Sequence, residues 1–409
     1  QQLKVLFPTG IILQSGPDAS SGYDKSYVEA GGGGKGLMVT YGNVGLTTTT
    51  ADRKRRAGQR LVIGLAGTKL LDEERAFIRE VRPGGFILFA RNVEEPRQVL
   101  ELNRELRSML PGDLPPIRCV DQEGGLVQRV KAPATVWPPM RFVGNARDLR
   151  FTREVGRALG REVRACGFDL DFAPVADVDS NPKNPIIGHR AFAADARDVA
   201  RHVAAFVEGM QGEGCIACAK HFPGHGDTAA DSHLELPVVE KDPPDLDAVE
   251  LPPFEAAIRA GVGTVMTAHV LYPGLDEDYP ATMSRRILHG ILRERMGYGG
   301  VVVSDDLEMK AVRGRYPIEM QLQKASEATV DVFLVCKELT LAAESWEGLI
   351  RLAEDDKLED DRAADAEKRW HALRERFLKD PSPAPGLDSL GGADHAALAM
   401  RARVEGAVS

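Results

Sequence analysis

An α/β chain closed into a (β/α)8 TIM-type barrel is the fold class this sequence predicts, and three observations predict it. Eight short apolar runs recur across roughly 300 residues, the size and count of such a barrel. Helical patterns separate most of them, and strand alternating with helix implies a parallel sheet with right-handed crossovers. Polar and charged residues collect directly after the runs, where barrels keep their chemistry.

The strand candidates are 61–65, 85–89, 117–120 and 170–175, then 215–219, 264–268, 300–304 and 330–335. Short continuous apolar runs suit strands buried on both faces. Apolar residues at helical spacing predict helices over 73–81, 96–106, 151–166, 196–212 and 251–260, and Pro96 suits a first helical position. The segment 341–377 reads as helical and charged, with Trp346 and Trp370 as packing residues. An open doubly wound sheet also alternates strand and helix. It requires a glycine-rich dinucleotide loop after the first strand, which Gly64-Leu65-Ala66-Gly67 does not supply.

The expected organisation is an N-terminal extension or linker over 1–57, a single catalytic barrel domain over 58–378 and a C-terminal tail over 379–409. In the glycine run 31–36, Gly36 follows Lys35 where a phosphate loop needs Ser or Thr, so a flexible linker fits better. Thr47 to Thr50 and the basic cluster Arg53, Lys54, Arg55 and Arg56 read as a solvated connector. The tail opens with prolines and glycines and has room for one short helix, 393–404.

With 43% hydrophobic residues in 409, the chain can form a substantial core. A net charge of -9 argues against a general nucleic-acid binder. No apolar run approaches the ~20 residues of a membrane-spanning helix. The run 4–13 is broken by Pro8 and Gly10 and lacks a signal-peptide layout. Five scattered cysteines do not make a disulfide framework. Cys215 and Cys218 stand three apart, on opposite faces of a strand, and read as small core residues rather than zinc ligands.

Residues 220–233 (KHFPGHGDTAADSH) hold three histidines, two aspartates and a lysine, broken by two glycines and a proline. That composition predicts a polar loop after the fifth strand, mobile across 224–236. The third strand ends in Asp121-Gln122-Glu123-Gly124-Gly125, with Arg129 close behind. The fourth is followed by Asp177, Asp179, Asn181, Asn184 and His189-Arg190; the sixth ends at His269 and the seventh at Ser304-Asp305-Asp306. Satisfying a core explains any one of these residues but explains all of them together poorly.

Asp305, at the end of a buried strand, is a rigidly aimed carboxylate. Asp231 and His233 project to the same side of an extended chain, so the carboxylate can hold and polarise the imidazole. A fixed carboxylate and a tuned acid/base ~5 Å apart fit retaining glycoside hydrolysis, although most such enzymes use two carboxylates. Asp121, Arg129, Arg190, Lys220 and His221 would then hydrogen-bond the sugar. His221, His225 and Asp227 also admit a metal reading. No helical histidine pair or cysteine set accompanies them, so no metal is expected and His225 reads as a loop-shaping hydrogen bonder. Asp306 should face away from Asp305 and support it from behind. His269 either lines the pocket or satisfies the rim.

Residues 220–233 resemble the signature of glycoside hydrolase family 3 β-N-acetylglucosaminidases. So do 121–129 (DQEGGLVQR), 184–192 (NPIIGHRAF), 280–284 (PATMS) and 304–309 (SDDLEM), in family order, within a resemblance covering about 58–377. The resemblance implies a single-domain, bacterial-type barrel enzyme that removes terminal β-linked N-acetylglucosamine with retention of configuration. It implies Asp305 as nucleophile, His233 as general acid/base and Asp231 as the residue orienting it. Asp121, Arg129, Arg190, Lys220 and His221 match the family's sugar-binding positions. It implies no metal and no organic cofactor, and a cytoplasmic role in cell-wall recycling on amino-sugar glycosides: muropeptide-type N-acetylglucosaminides, or chitooligosaccharides. A monomer with no nucleic-acid partner and no membrane span is expected.

Two features depart from the family pattern. Residues 1–56 have no family counterpart. Leu126 stands where arginine is frequent and should touch local packing. β-Glucoside hydrolysis and phosphorolysis stay open, since a histidine that has given up its proton carries no negative charge to repel phosphate. A non-catalytic sugar-binding protein would not need Asp305 together with Asp231 and His233.

Overall fold

The computed structural model describes residues 49–228, 235–358 and 360–407, together with four short N-terminal strands. Those strands, Lys4–Leu6, Ile12–Ser15, Lys25–Val28 and Met38–Thr40, pair consecutively and antiparallel within a separate unit. The expected linker therefore contains paired strands, and the glycine run 31–36 lies outside the described residues. The basic cluster corrects the connector expectation. Thr50–Gln59 is a helix, and Arg55 and Arg56 both pair with Glu367. Their counter-charge lies some three hundred residues away, so local composition could not reveal it.

Eight strands close the barrel: Leu61–Gly64 (β1), Gly85–Leu88 (β2), Ile117–Val120 (β3), Leu170–Asp171 (β4), Ile216–Phe222 (β5), Thr264–Thr267 (β6), Val301–Asp306 (β7) and Val332–Val335 (β8). Each runs parallel to the next, and β8 returns to β1 through Phe333 opposite Leu61. The barrel matches the expected fold. β4 is shorter than predicted because Pro174 has no N–H for the ladder. The chain still follows β5, with Cys218 N donating to Ala173 O at 2.8 Å. β5 runs on to Phe222, so Lys220 and His221 belong to a strand rather than a loop.

Alternation along the strands builds two layers. Val62, Ile87, Phe172, Ile216, Met266 and Leu334 pack in the barrel interior, while the opposite phase, including Ile63, Phe86, Val265 and Phe333, packs toward the helices. Cys215 and Cys218 fall in different layers as buried free thiols, as their spacing predicts.

The helical stretch 341–377 is two helices, Leu339–Glu354 and Asp360–Leu378, with a break where Asp356 adopts φ 53°. The second sends Trp370, Leu373 and Phe377 into the interior cluster. Burying side chains of this size stabilises by about 1.5–3 kcal/mol each. Arg374 donates to Pro115 O and Gly84 O, at the N-terminal ends of β3 and β2. The opposite end of the barrel is thereby left for the site. In the tail, Ala393–Gly406 is a helix, slightly longer than predicted. A Cβ on Gly406 would lie 2.3 Å from Phe142 O, so this helix packs tightly on the barrel unit.

Candidate active site

A cavity of about 190 Å³ opens at the C-terminal ends of the strands. Asp121, Arg129, Arg190, Lys220, His221 and Asp305, six of the predicted site residues, all line it. Asp231 and His233 lie outside the described residues.

One wall is a charge network. Lys220 is buried at the end of β5, with Nζ 2.8 Å from Asp121 Oδ1 and 2.6 Å from Glu123 Oε1. Arg190 forks onto Glu123, Nε to Oε2 and Nη2 to Oε1, each at 2.8 Å. Arg129 Nη2 stands 3.6 Å from Asp121 Oδ2. Buried charges persist only when paired and hydrogen-bonded, and here three cations, Lys220, Arg190 and Arg129, meet two carboxylates. Burial works to raise the Glu123 carboxyl, but Arg190 and Lys220 outweigh it and hold the group far below the usual carboxylate range. Burial works to lower Lys220, and Asp121 and Glu123 reverse it. Sequence reasoning passed over Glu123. The available signal was an acid two residues from Asp121, which β-alternation sends to the same side.

Asp177 is the second residue that sequence reasoning left unassigned. Fully buried, it accepts from the backbone N–H groups of His221 (3.1 Å) and His225 (2.7 Å), and its Oδ2 lies 2.8 Å from His221 Nδ1. A carboxylate partner makes Nδ1 the donor. His225 Nδ1 is 3.0 Å from the Thr228 hydroxyl, and burial, reinforced by His221, lowers its pKa to about 4. These bonds use the Nδ1 atoms of both histidines, and no group of three or more potential ligands gathers for a metal among the described residues.

Asp305 lies near the end of β7, with Oδ1 accepting from Asp306 N at 2.8 Å. Burial works to raise its carboxyl, and His269 and His221 outweigh it, so it sits below its ordinary value. An ionised carboxylate in a partly enclosed cavity is a nucleophile available for an electrophilic carbon.

Asp306 differs from expectation. It borders the same cavity as Asp305, because the ladder between β7 and β8 shifts register between Val303 and Asp306. Its Oδ1 also accepts from Glu308 N and Cys336 N, and burial, with Glu308, raises its pKa to about 7. His269 satisfies the rim rather than lining the cavity. Its Nε2 must donate to Asp306 O (3.1 Å), and its Nδ1 lies 2.8 Å from the Thr282 hydroxyl. The PATMS segment thus supplies a fixed partner for a buried histidine.

Leu126 also departs from expectation. It is 95% exposed at the tip of a hairpin between Gln122–Gly124 and Val127–Gln128. Gly124 (φ 96°) and Gly125 (φ 60°) make that turn, and a Cβ on Gly125 would lie 2.9 Å from the Pro139 ring. Of the predicted mobile segment 224–236, the described residues are 224–228 and 235–236, and 224–228 are held by hydrogen bonds. Asn184 Nδ2 donates to His225 O (2.7 Å) and Gly226 O (3.0 Å), and the Tyr272 hydroxyl donates to Gly224 O. Residues 229–234 lie outside the described residues.

Residues 54–373 match the model of the glycosyl hydrolase family 3 N-terminal domain. A beta-hexosaminidase of Nitrosomonas eutropha is 38% identical over 284 residues, covering 68% of this chain and 80% of that protein. A beta-hexosaminidase of Thiobacillus denitrificans is 40% identical over 292 residues, covering 69% and 80%. The solved family 3 beta-N-acetylglucosaminidase of Paenibacillus sp. superposes with a TM-score of 0.82 at 37% identity, covering 86% of this chain and 68% of that one. NagZ of Neisseria gonorrhoeae superposes at 0.70 with 32% identity, covering 85% and 97%. With a family domain matched over most of its length and a barrel shared with these enzymes, the chain belongs to glycoside hydrolase family 3.

Proposed function

We propose that the protein is a retaining exo-β-N-acetylglucosaminidase acting through Asp305, His233 and Asp231. The observation that carries this reading is Asp305, held ionised in the same small cavity as the Asp121–Lys220–Glu123–Arg190 wall. The relatives named beta-hexosaminidase support the substrate class.

A terminal sugar enters the cavity, and Asp121, Arg129, Arg190, Lys220 and His221 hydrogen-bond its hydroxyl and acetamido groups. An Asp305 carboxylate oxygen attacks the anomeric carbon. The bond from that carbon to the aglycone oxygen breaks, and the His233 imidazolium gives its proton to the departing oxygen. Asp231 holds the imidazole in place. His233, now neutral, takes a proton from water as the water oxygen attacks the same carbon. The bond to Asp305 breaks and the carboxylate is restored. Two inversions give net retention.

The same reading assigns the catalytic domain to 58–378 with extensions on both sides, muropeptide or chitooligosaccharide substrates, a cytoplasmic site of action, a monomeric state and no cofactor. No helix among the described residues is long and apolar enough to cross a membrane. The test is nitrophenol release from the β-N-acetylglucosaminide beside the β-glucoside, in phosphate and in phosphate-free buffer. A strong preference for the acetamido sugar, with free N-acetylglucosamine as product in both buffers, is expected. Equal rates on the two sugars, or a sugar phosphate as product, would overturn it.

A further inference from the structure

The chain leaves β5 through a stem, 223–228, and returns past 235 toward the helix Pro243–Val249. Between stem and return lie Asp231 and His233. Both described ends converge on one side chain. Lys241 Nζ is 2.7 Å from Glu250 Oε1, 3.4 Å from Ser180 Oγ and 3.6 Å from Asp227 Oδ2. Asp227 belongs to the stem and Lys241 to the return. The return is further pinned at Val239, whose N–H donates to Leu271 O at 2.9 Å.

Glu250 sits beneath this junction at 1% exposure. Its Oε2 is buried without a hydrogen-bond partner among the described residues. A Cβ on Gly224, which adopts φ 146°, would lie 2.4 Å from that oxygen, so the carboxyl group packs directly against the stem backbone. Burial raises the Glu250 carboxyl to about 7 against the pull of Lys241, and Asp177 and Asp227 add to the rise. A buried carboxyl with one strong cationic partner and one orphaned oxygen is a poor choice for stability alone. Its place under the stem supplies another reason for it.

We infer that Lys241, anchored by Glu250, is a positioning residue that ties the two ends of the segment bearing Asp231 and His233, and so sets the reach of the acid/base. The inference rests on the assignment of His233 as general acid. Displacing a catalytic group by about 1 Å can cost on the order of a hundredfold in rate, so a loosened tie should be read out in proton donation.

The experiment compares kcat/KM for phenyl and dinitrophenyl N-acetylglucosaminides, because a dinitrophenolate departs without a proton and a phenolate needs one. The variants are Lys241→Met, Lys241→Arg and Asp227→Asn, with His233→Ala as reference. Lys241→Met should lose roughly tenfold or more on the phenyl glycoside beyond any loss on the dinitrophenyl one. Lys241→Arg should recover most of that difference, and Asp227→Asn should show a smaller loss in the same direction. Equal losses on both substrates in Lys241→Met, with His233→Ala still leaving-group dependent, would overturn the tie and keep the general acid. Leaving-group-independent loss in His233→Ala would instead overturn the assignment on which the tie rests. Where Lys241→Met does not fold, Asp227→Asn decides, since it leaves the buried pair intact. The absence of any leaving-group difference there overturns the inference.

Discussion

The two sides of the site are built on different electrostatic principles. On the barrel wall, Lys220 and Arg190 meet Asp121 and Glu123, and pairing outweighs burial at Glu123, Lys220 and Arg190. Beneath the stem, Glu250 has one strong cationic partner, and burial wins over it. The wall joins β5, the hairpin strand Gln122–Gly124 and the 184–192 segment; the stem is held by Asn184, Tyr272 and Asp177 and meets the Lys241–Glu250 pair through Asp227.

The sharpest break in this comparison comes from the wall's neighbour. Asp305→Asn should lower kcat on the β-N-acetylglucosaminide by roughly four orders of magnitude or more, as losses of covalent nucleophiles do. Near wild-type turnover in a burst-free assay would remove Asp305 from its role. Glu123→Ala comes next. It leaves Lys220 and Arg190 buried with one fewer counter-charge, and denaturant unfolding should show a loss of about 3–5 kcal/mol.

Protonation tests the stem against the wall in opposite directions. The folded-state pKa of Glu250 is raised to about 7, so its stabilising contribution is present at low pH and is lost as pH rises through 7. Glu123 is depressed, so its contribution is present above the ordinary carboxylate range and is lost as pH falls below it. Unfolding free energies of wild type and Glu250→Gln between mildly acid and mildly alkaline pH should therefore diverge, with wild type losing ground at the alkaline end. Parallel curves would make the stem no different from the wall. The smallest effect belongs to Leu126→Ser. Its side chain stands in solvent, so thermal unfolding should shift stability by no more than about 0.5 kcal/mol.

Composition and period by themselves determined the barrel. Eight buried strands must be short, apolar and evenly spaced, and chemistry at their C-terminal ends follows from strand direction. The polar residues after those strands could be picked out because a packed core excludes them. Local pattern could not decide who pairs with whom. Glu123 became the centre of the wall only when β3, β5 and the 184–192 segment were brought together. Asp177 became the anchor for two histidines by the same convergence. Asp306 was misjudged because a register shift in the ladder overrides simple alternation. The helix Thr50–Gln59 was misjudged because its counter-charge, Glu367, comes from the far end of the barrel unit. Hydrophobic periodicity is a one-dimensional property and survives in the sequence. Charge pairing and burial are properties of contacts between distant segments, and only the closed tertiary structure decides them.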